Sequence, residues 1–341
     1  MSYLDIGLSA IRANQVALQT VGNNITNAGT DGYHRQQVQL VDRLPGVMQG
    51  LSVGSGVDAV RIDRQVSAAI ERSLLETRSH TAELDAVTMN WRQIETVLLP
   101  GSGSISAAAF EFFSQLDQLA GQSHETVRIT EFLQAADALA HSYSDALAAL
   151  DEQANSVRRE IEAAVPTINA LVERVAELDE RIRFEQARGR EPNDLLDRRD
   201  QLLGELAGWV DVEPRSLTEG AGVSVAAGGR LLLAANAGRL ELRRDAAGDL
   251  SLGITDSERA AVPVSGRLAG LFSSLGDLQQ IRDELTEWFS AIRESFDGIQ
   301  ATGLGTAGPF ASLTGSQAVA NPNVPLADTP LGTQLVAGSC S

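Results

Sequence analysis

Apolar residues recur every seventh position at the start of the chain: Leu4, Ile11, Leu18 and Ile25, with Leu8 on the same stripe. That spacing predicts an amphipathic helix over residues 4–27. Its other face is built of amides (Asn14, Gln15, Gln19, Asn23, Asn24, Asn27), and Asp5 and Arg12 are its only charges. Amides can hydrogen-bond neighbours in a packed assembly without burying ions; the alternative reading of the pattern alone is an ordinary capping helix. Gly29, Asp31 and Gly32 end the helix. Two β-prone runs, 38–44 and 57–63, separated by Pro45, Gly46, Gly50, Gly54 and Gly56, predict a small hairpin or extended arm.

A second helical pattern fills 65–99 through Val66, Ile70, Leu74, Thr77, Thr81, Leu84, Trp91, Ile94 and Leu98. The run from Pro100 to Ser104 is a turn, and a shorter helix carries Ile105, Phe112, Phe113, Leu116 and Leu119. Alternating steps of four and three then visit Ile129, Leu133, Ala136, Ala140, Tyr143, Leu147, Leu150, Ala154, Val157, Ile161, Ala164, Ile168, Leu171, Val175, Leu178 and Ile182. No polar residue interrupts this seam, which predicts a helical rod on the order of 80 Å long. Pro166 lies off the seam and predicts a kink. Residues 189–192 end the rod, and Asn193 is placed to cap a further helix bearing Leu195, Leu196, Leu202, Leu203 and Leu206.

Between 210 and 264 the period changes to two. Val212, Val223, Val225, Leu231, Leu233, Leu240, Leu242, Leu250 and Leu252 alternate with polar or small residues. Gly228-Gly229, Asn236-Ala237-Gly238 and Ala247-Gly248-Asp249 supply hairpin turns. The helical period resumes through Leu271, Leu275, Leu278, Ile281, Leu285, Trp288, Ile292, Phe296 and Ile299. Residues 301–341 are rich in small residues and proline, and Asp328 is their only charge. The expected fold class is mainly α with a small β-insertion: an elongated α-helical bundle or coiled coil plus an antiparallel β-meander. Its segments are an N-terminal axial helix (1–28), an extended arm with a short hairpin (29–64) and a long-helix bundle (65–209). They continue as the β-insertion (210–265), a return helix of the bundle (266–300) and a linker or incomplete domain (301–341).

Composition narrows the chemistry. The 341 residues are 43% hydrophobic and carry 27 basic against 45 acidic side chains, a net charge of −18. Such a chain repels phosphate backbones and anionic headgroups, which argues against nucleic-acid and membrane-surface binding. Every basic residue is Arg. Without Lys there is no P-loop, Schiff base or lysine general base. Cys340 is the only cysteine, which excludes disulfides within the chain and cysteine-rich zinc sites. Asp5 and the absence of a basic residue before Arg12 do not fit a secretory signal, and no apolar run is long enough to span a bilayer.

Four patterns resemble chemical sites. Gly303, Gly305 and Gly308 match the dinucleotide fingerprint, with Asp328 downstream. They follow a predicted helix rather than a strand, and Pro309 discourages another helix, so no cofactor is expected. His80 has Glu76 and Glu83 one turn away, and His141 has Asp137 and Asp145. A carboxylate can orient an imidazole for base catalysis or metal binding, but no second histidine sits at ligand spacing, so these read as solvated faces. Asp194, Asp197, Asp200, Arg198 and Arg199 form a dense cluster. A hydrolytic carboxylate pair is conceivable there, and intrahelical ion pairs explain it more simply. Asn24-Ile25-Thr26 has glycosylation spacing but lies on a predicted helix.

One stretch is more specific. Asn23-Asn24-Ile25-Thr26-Asn27-Ala28-Gly29-Thr30-Asp31-Gly32-Tyr33-His34-Arg35-Gln36 resembles the N-terminal signature of bacterial flagellar axial proteins, the rod, hook and hook-associated subunits. Tyr33 followed by Arg35-Gln36 is most similar to the hook–filament junction family, hook-associated protein 1. Phe112-Phe113-Ser114-Gln115-Leu116 onward to Arg128, and Asn193-Asp194-Leu195-Leu196-Asp197-Arg198-Arg199-Asp200-Gln201-Leu202, are similar to that family's helical domain. The resemblance implies a structural, non-enzymatic subunit, without cofactor or metal, that joins hook to filament. Its first helix, through Leu4, Leu8, Ile11, Leu18 and Ile25, is expected to assemble the inner tube. Asn23, Asn24, Asn27, Gly32 and Tyr33 are expected to shape the bend.

The implied partners are copies of itself in a ring, the hook protein and the second junction protein. The type III export apparatus and a cytosolic chaperone belong to the same expectation, with no nucleic acid and no membrane insertion. The implied location is the extracellular flagellum, reached without a cleaved signal peptide. Family members carry a second apolar heptad helix at the C-terminus. This sequence is expected to be truncated relative to them, lacking that helix and the chaperone site, so the stripe beginning at Leu4 should be uncovered. The rival readings are another hook or rod subunit, a cytosolic coiled-coil adaptor built on the seam from Ile129 to Ile182, and an enzyme using the carboxylates near Asp194.

Overall fold

The structure, a computed structural model, describes residues 3–44, 46–48, 51–98, 104–121, 125–214, 223–225, 239–244, 250–255, 260–261 and 263–302. In chain order the elements are α1 (Tyr3–Thr26), β1 (Gln36–Asp42), β2 (Gly46–Met48), β3 (Leu51–Val53), β4 (Val57–Arg64), α2 (Ala68–Leu98), α3 (Ile105–Gly121), α4 (Thr126–Ala187), α5 (Asn193–Ala207), β5 (Val212–Pro214), β6 (Val223–Val225), β7 (Leu240–Arg244), β8 (Leu250–Ile254), β9 (Ala260–Ala261) and α6 (Arg267–Thr302). The fold is mainly α with a small β-insertion. Strands β1 and β4 pair antiparallel from Gln36↔Arg64 to Asp42↔Val57, with a register shift between Gln39 and Leu40, and the β2–β3 hairpin lies between them in sequence. In the insertion β5 pairs with β6, and β7, β8 and β9 form an antiparallel sheet in that order. The expected strand at Leu231 and Leu233, the three expected hairpin turns of the insertion, Cys340 and the Gly303 to Gly308 pattern lie outside the described residues.

The chain divides into two compact units, one of Met1–Ala86 with Ile161–Leu271 and one of Val87–Glu160 with Phe272–Ser341. In the first, Ile161, Ile168, Val175 and Ile182 of α4 stand seven residues apart and are wholly buried, as are Leu206 of α5 and Leu268 of α6. A side-chain amide fixes the β-insertion to this core. Asn169 Nδ2 donates to the Leu240 carbonyl and the Leu240 N–H donates to Asn169 Oδ1, both at 2.9 Å. Asn169 thus bonds the first residue of β7 as a neighbouring strand would. In the second unit Tyr143 stacks on Phe289 with ring centroids 4.1 Å apart. Phe112 lies 5.4 Å from Phe132 and 5.3 Å from Phe296.

Two predicted seams are displaced. On α4 the expected stripe is buried at Tyr143 and followed from Leu150 to Ile182, but Ile129 and Leu133 are exposed, and Ala135, Leu139 and Ala146, which lie off the stripe, are buried. A strict seven-residue repeat drifts by about 20° per heptad on a straight helix, so a stripe extrapolated toward the N-terminus leaves the packed face. Helix α4 runs through Pro166 as one element of 62 residues. On α2, Ile70, Leu74, Leu84 and Trp91 of the expected face are exposed and Ile94 is buried as expected, whereas Leu75, Ser79, Ala86 and Asn90, outside that pattern, are buried. Close backbone approach selects the small residues. A Cβ on Gly270 would collide with the Glu83 carbonyl, and Ser79 Oγ meets Ser265 Oγ at 2.6 Å.

Helices α4 and α5 are joined through one buried ion pair, Arg199 Nε to Asp179 Oδ1 at 2.7 Å. Burial pushes the Asp179 carboxyl above the usual carboxylate range, and the Arg199 and Arg183 charges oppose that rise. Removing one partner strands the other charge in the core, which costs about 3–5 kcal/mol, whereas an apolar pair of similar volume restores packing. Arg199→Met alone is therefore expected to lower the urea midpoint strongly, and Asp179→Leu combined with it to recover most of the loss. Trp209 fluorescence during urea denaturation checks the order.

Candidate functional site

Helix α1 packs on the β1–β4 hairpin, and the face it uses is not its apolar stripe. Ser9, Ala13 and Thr20 are buried, and Ile6, Val16, Asn24 and Asn27 are half-buried. These residues follow one another at steps of three and four, a continuous helical face made largely of small and polar side chains. Ser9 Oγ donates to the Ile6 carbonyl at 2.8 Å and accepts from the Val57 N–H at 3.3 Å. Gly56 makes this approach possible: its φ is +100°, and a Cβ there would run into Ser9 Oγ. The stripe is left in solvent, with Leu4 81%, Ile11 58%, Leu18 72% and Ile25 72% exposed, and Leu8 and Val21 about half exposed. Fully burying one such side chain stabilises by about 1.5–3 kcal/mol, so a row of five is a strong drive toward association.

The bend after α1 is held by one carboxamide. Asn24 Nδ2 donates to the Gln36 carbonyl, and Asn24 Oδ1 accepts from both the Gln36 N–H and the Tyr33 hydroxyl, all at 2.8 Å. Burial, then the charges of Asp197 and Asp194, push the Tyr33 phenol above its ordinary pKa, which keeps the hydroxyl proton in place as donor. Gly32 has φ +74°, and a Cβ there would meet the Gln201 side chain, whose Nε2 donates to the Asp31 carbonyl. Asn27 bonds back to Asn23, with Nδ2 2.8 Å from Asn23 Oδ1. Asn14, Gln15, Gln19 and Asn23 are exposed.

Helix α5 anchors the same bend from the other side. Asp197 lies 2.8 Å from His34 Nδ1 and accepts from Arg64 at 2.7 Å, while Asp200 accepts from the same Arg64 nitrogen at 2.8 Å. His34 Nε2 is 3.4 Å from Glu71 at the start of α2. Asn193 does not cap α5: Pro192 occupies the N-cap position, and the Asn193 amide donates to the Ile62 carbonyl of β4 at 2.8 Å. A buried amide beside a strand carbonyl completes that bond in preference to a cap available to solvent. The dense charge cluster therefore splits by helix face. Asp197 and Asp200 hold the arm, Arg199 holds α4, and Asp194 and Arg198 are exposed.

Ligand atoms of His34, Asp197 and Asp200 lie within 4.8 Å of one another, a donor set that suits a divalent cation. Arg64 already bridges both carboxylates and supplies the positive charge, so the arrangement is that of a structural clamp. His80 and His141 have largely exposed side chains, 3.4 Å from Glu83 and 3.5 Å from Asp137. Sequence reasoning missed Ser9, Ala13, Thr20, His34, Arg64 and the arm-binding role of Asn193 and Gln201. The small-residue face could have been found as a second helical period on α1. The long-range partners of α5 leave no local spacing to read.

Residues 91–313 match the family described as flagellar hook-associated protein FlgK helical domain. That match spans well over half of the chain. The chain belongs to the FlgK family. Residues 4–34 also match the flagella basal body rod protein family. Flagellar hook-associated protein 1 of Salmonella typhimurium is 27% identical over 315 residues, covering 89% of this chain and 57% of the relative. The Escherichia coli protein of that name is 28% identical over 62% of this chain and 39% of its own, and the Bacillus subtilis one 26% identical over 62% and 43%. The chain thus spans little more than half the length of the Salmonella relative and less than half of the other two. The flagellar hook junction protein FlgK from Burkholderia pseudomallei shares the fold, with TM-score 0.50, 22% identity and 60% of this chain covered against 38% of its own.

In this FlgK-family chain, Asn24→Ala removes three hydrogen bonds at once and leaves the Gln36 backbone and the Tyr33 hydroxyl to find other partners. The expected cost is about 2–3 kcal/mol, against roughly 1 kcal/mol for Tyr33→Phe, which removes one. Amide hydrogen exchange at Gln36 checks this, with the faster exchange expected in Asn24→Ala.

Proposed function

We propose that this chain is a structural, non-catalytic subunit of the bacterial flagellum that joins hook to filament. The observation that carries the reading is the solvent-facing row of Leu4, Leu8, Ile11, Leu18 and Ile25 on a helix with two charges, in a chain of the FlgK family. The hairpin is covered by the opposite face of α1, which leaves this row available as a contact. An axial subunit uses it as the contact that its neighbours bury.

The partners that fit are further copies in a ring, the hook protein on one side and the second junction protein on the other. Export through the type III channel with a cytosolic chaperone, to the outside of the cell without a cleaved signal, belongs to the same reading. No helix among the described residues is long and apolar enough to cross a membrane. The bend residues Asn23, Asn24, Asn27, Gly32 and Tyr33 serve by fixing the angle between α1 and the arm. A coiled-coil adaptor gains no support from α4, whose apolar seam from Leu150 to Ile182 is already filled within the chain.

Immunogold electron microscopy of flagella from the source organism tests the reading. Gold confined to the hook–filament boundary is the expected result, and gold along hook or filament, or only inside the cell, overturns it. Ile11→Asp should abolish incorporation while leaving the melting temperature of the isolated chain unchanged, because Ile11 is 58% exposed and belongs to no core. A lowered melting temperature in that variant would mean the stripe is an internal contact instead.

A further inference from the structure

Strands β1 and β4 form a two-stranded sheet, so each has one outer edge, and the two edges are unlike. The β4 edge is defended: Asp58, Arg61, Asp63 and Arg64 charge it, and the register skips Val60, which bulges between Ala59 and Arg61. Charges and bulges keep an edge strand from pairing with another chain. Strand β1 has no such defence before Asp42, running Gln36-Gln37-Val38-Gln39-Leu40-Val41. The Arg35 carbonyl accepts from the Gln65 N–H at 2.8 Å, which makes 35 and 65 a hydrogen-bonded pair. Antiparallel alternation then turns the N–H and C=O of Gln36 and Val38 away from β4. Asn24 takes both groups of Gln36. No side chain among the described residues reaches those of Val38.

Beside this edge, β1 and the second half of α1 enclose a groove of about 450 Å³, lined by Ala17, Val21, Ile25 and Leu40 together with Arg35 and Gln36. Gln36 is 8% exposed, yet its side-chain Nε2 has no acceptor among the described residues. Asn24 cannot supply one, because its oxygen already takes two donors. A buried donor without an acceptor is destabilising, so the site is incomplete as it stands. Arg35 is exposed, and its guanidinium has no carboxylate partner among the described residues.

We propose that β1 is a docking edge for an extended, apolar segment of a partner protein that carries one carboxylate, added to the sheet as a third strand from Val38 onward. Its backbone would bond Val38 as the Asn24 amide bonds Gln36. Its alternate side chains would fill the groove against Ala17, Val21 and Ile25, and its carboxylate would accept from Arg35 and from Gln36 Nε2. A strand suits this place and a helix does not, because a helix spends its backbone groups on itself and leaves those of Val38 unmet. The carboxylate follows from the two unmatched groups, which are both donors and one of them cationic. A chain of net charge −18 repels a strongly acidic partner, so a single carboxylate in an otherwise uncharged segment fits best. A second β1 is a poor occupant: it has no carboxylate before Asp42 and would bring its own Arg35. This site goes beyond the junction role proposed above and does not rest on it.

Amide hydrogen exchange of the full chain with a synthetic peptide tests the proposal. The probe is Thr-Val-Thr-Val-Thr-Glu-Thr with blocked ends, whose valines and glutamate fall on one face of a strand. In the free chain the Val38 amide is expected to exchange faster than those of Gln36 and Gln37. Peptide in millimolar excess should slow Val38 at least tenfold and leave Gln37, which faces β4, unchanged. The same peptide N-methylated along its backbone, or carrying Lys in place of Glu, should give no protection. Arg35→Glu should lose the protection with the Glu peptide and regain it with the Lys peptide, a reversal that excludes a folding defect. No slowing at Val38 overturns the proposal, as does equal slowing by the N-methylated peptide, which would mean apolar adhesion without strand pairing. Slowing that ignores both charge changes overturns it as well. So does slowing that grows with chain concentration and needs no peptide, which would give the edge to a second copy.

Discussion

Three hydrogen bonds to a single carboxamide set the geometry on which the rest of this molecule depends. Asn24 bonds both backbone groups of Gln36 and the Tyr33 hydroxyl, so the last turn of α1 and the first residue of β1 share one fixed orientation. Once that orientation is set, the rotation of α1 about its own axis is set as well. The face in line with Asn24, at Thr20, Ala13 and Ser9, must lie on the hairpin, and the row from Leu4 to Ile25 must point away. A helix free to roll would bury its large side chains on the nearest surface, since burial favours Leu and Ile over Ser and Ala. Here, directional bonds and the close approach at Gly56 override that preference. The protein holds its most apolar face outside by specific chemistry.

The same economy of contact recurs on α2, where Ser79 and Ala86 are buried and Ile70, Leu74 and Leu84 are not. Small residues let backbones approach until a glycine is required, as at Gly270 against Glu83. Asparagine serves twice as a substitute peptide group, Asn24 for Gln36 and Asn169 for Leu240. In both places a helix satisfies both backbone groups at the first residue of a strand. A side chain that donates and accepts in one plane is the simplest group able to do this, which is why neither a carboxylate nor a hydroxyl stands in its place.

Much of this was legible in the sequence, and the limits of legibility have physical causes. The α4 seam could be read because Ile161, Ile168, Val175 and Ile182 bury large apolar groups at a regular period, and periodicity is local information. The α2 and α1 packing faces could not, because size there runs opposite to burial, and a reader who follows hydrophobicity selects the outward face. The amide-rich run from Asn23 to Asn27 was recognisable as unusual, but its working member, Asn24, is identified only by partners nine and twelve residues away. The charge cluster of α5 was visible as a cluster. That Asp197 faces His34 and Arg64 while Arg199 faces Asp179 depends on pairings across more than a hundred residues of chain in one direction and twenty in the other, which no local spacing encodes.

The clamp at α5 ties the bend and the hairpin to the helices behind them. Asp197, Asp200 and Glu71 together hold His34 and Arg64, so both ends of the hairpin, at the bend and at the exit of β4, are fixed to helices whose cores include Leu75 and Leu206. Each charge in the network is partly shielded from water and faces an opposite charge or a ring nitrogen, so the links are stiffer than exposed ion pairs. Gln201 and Asn193 add neutral bonds to the backbone at Asp31 and Ile62, which salt does not screen. A pull on α1 is therefore carried first by the Asn24 carboxamide, then by the hairpin, and then by charged and neutral links in parallel into α5. Among the described residues, each step from α1 to the buried core of α5 is thus made by a named hydrogen bond or ion pair.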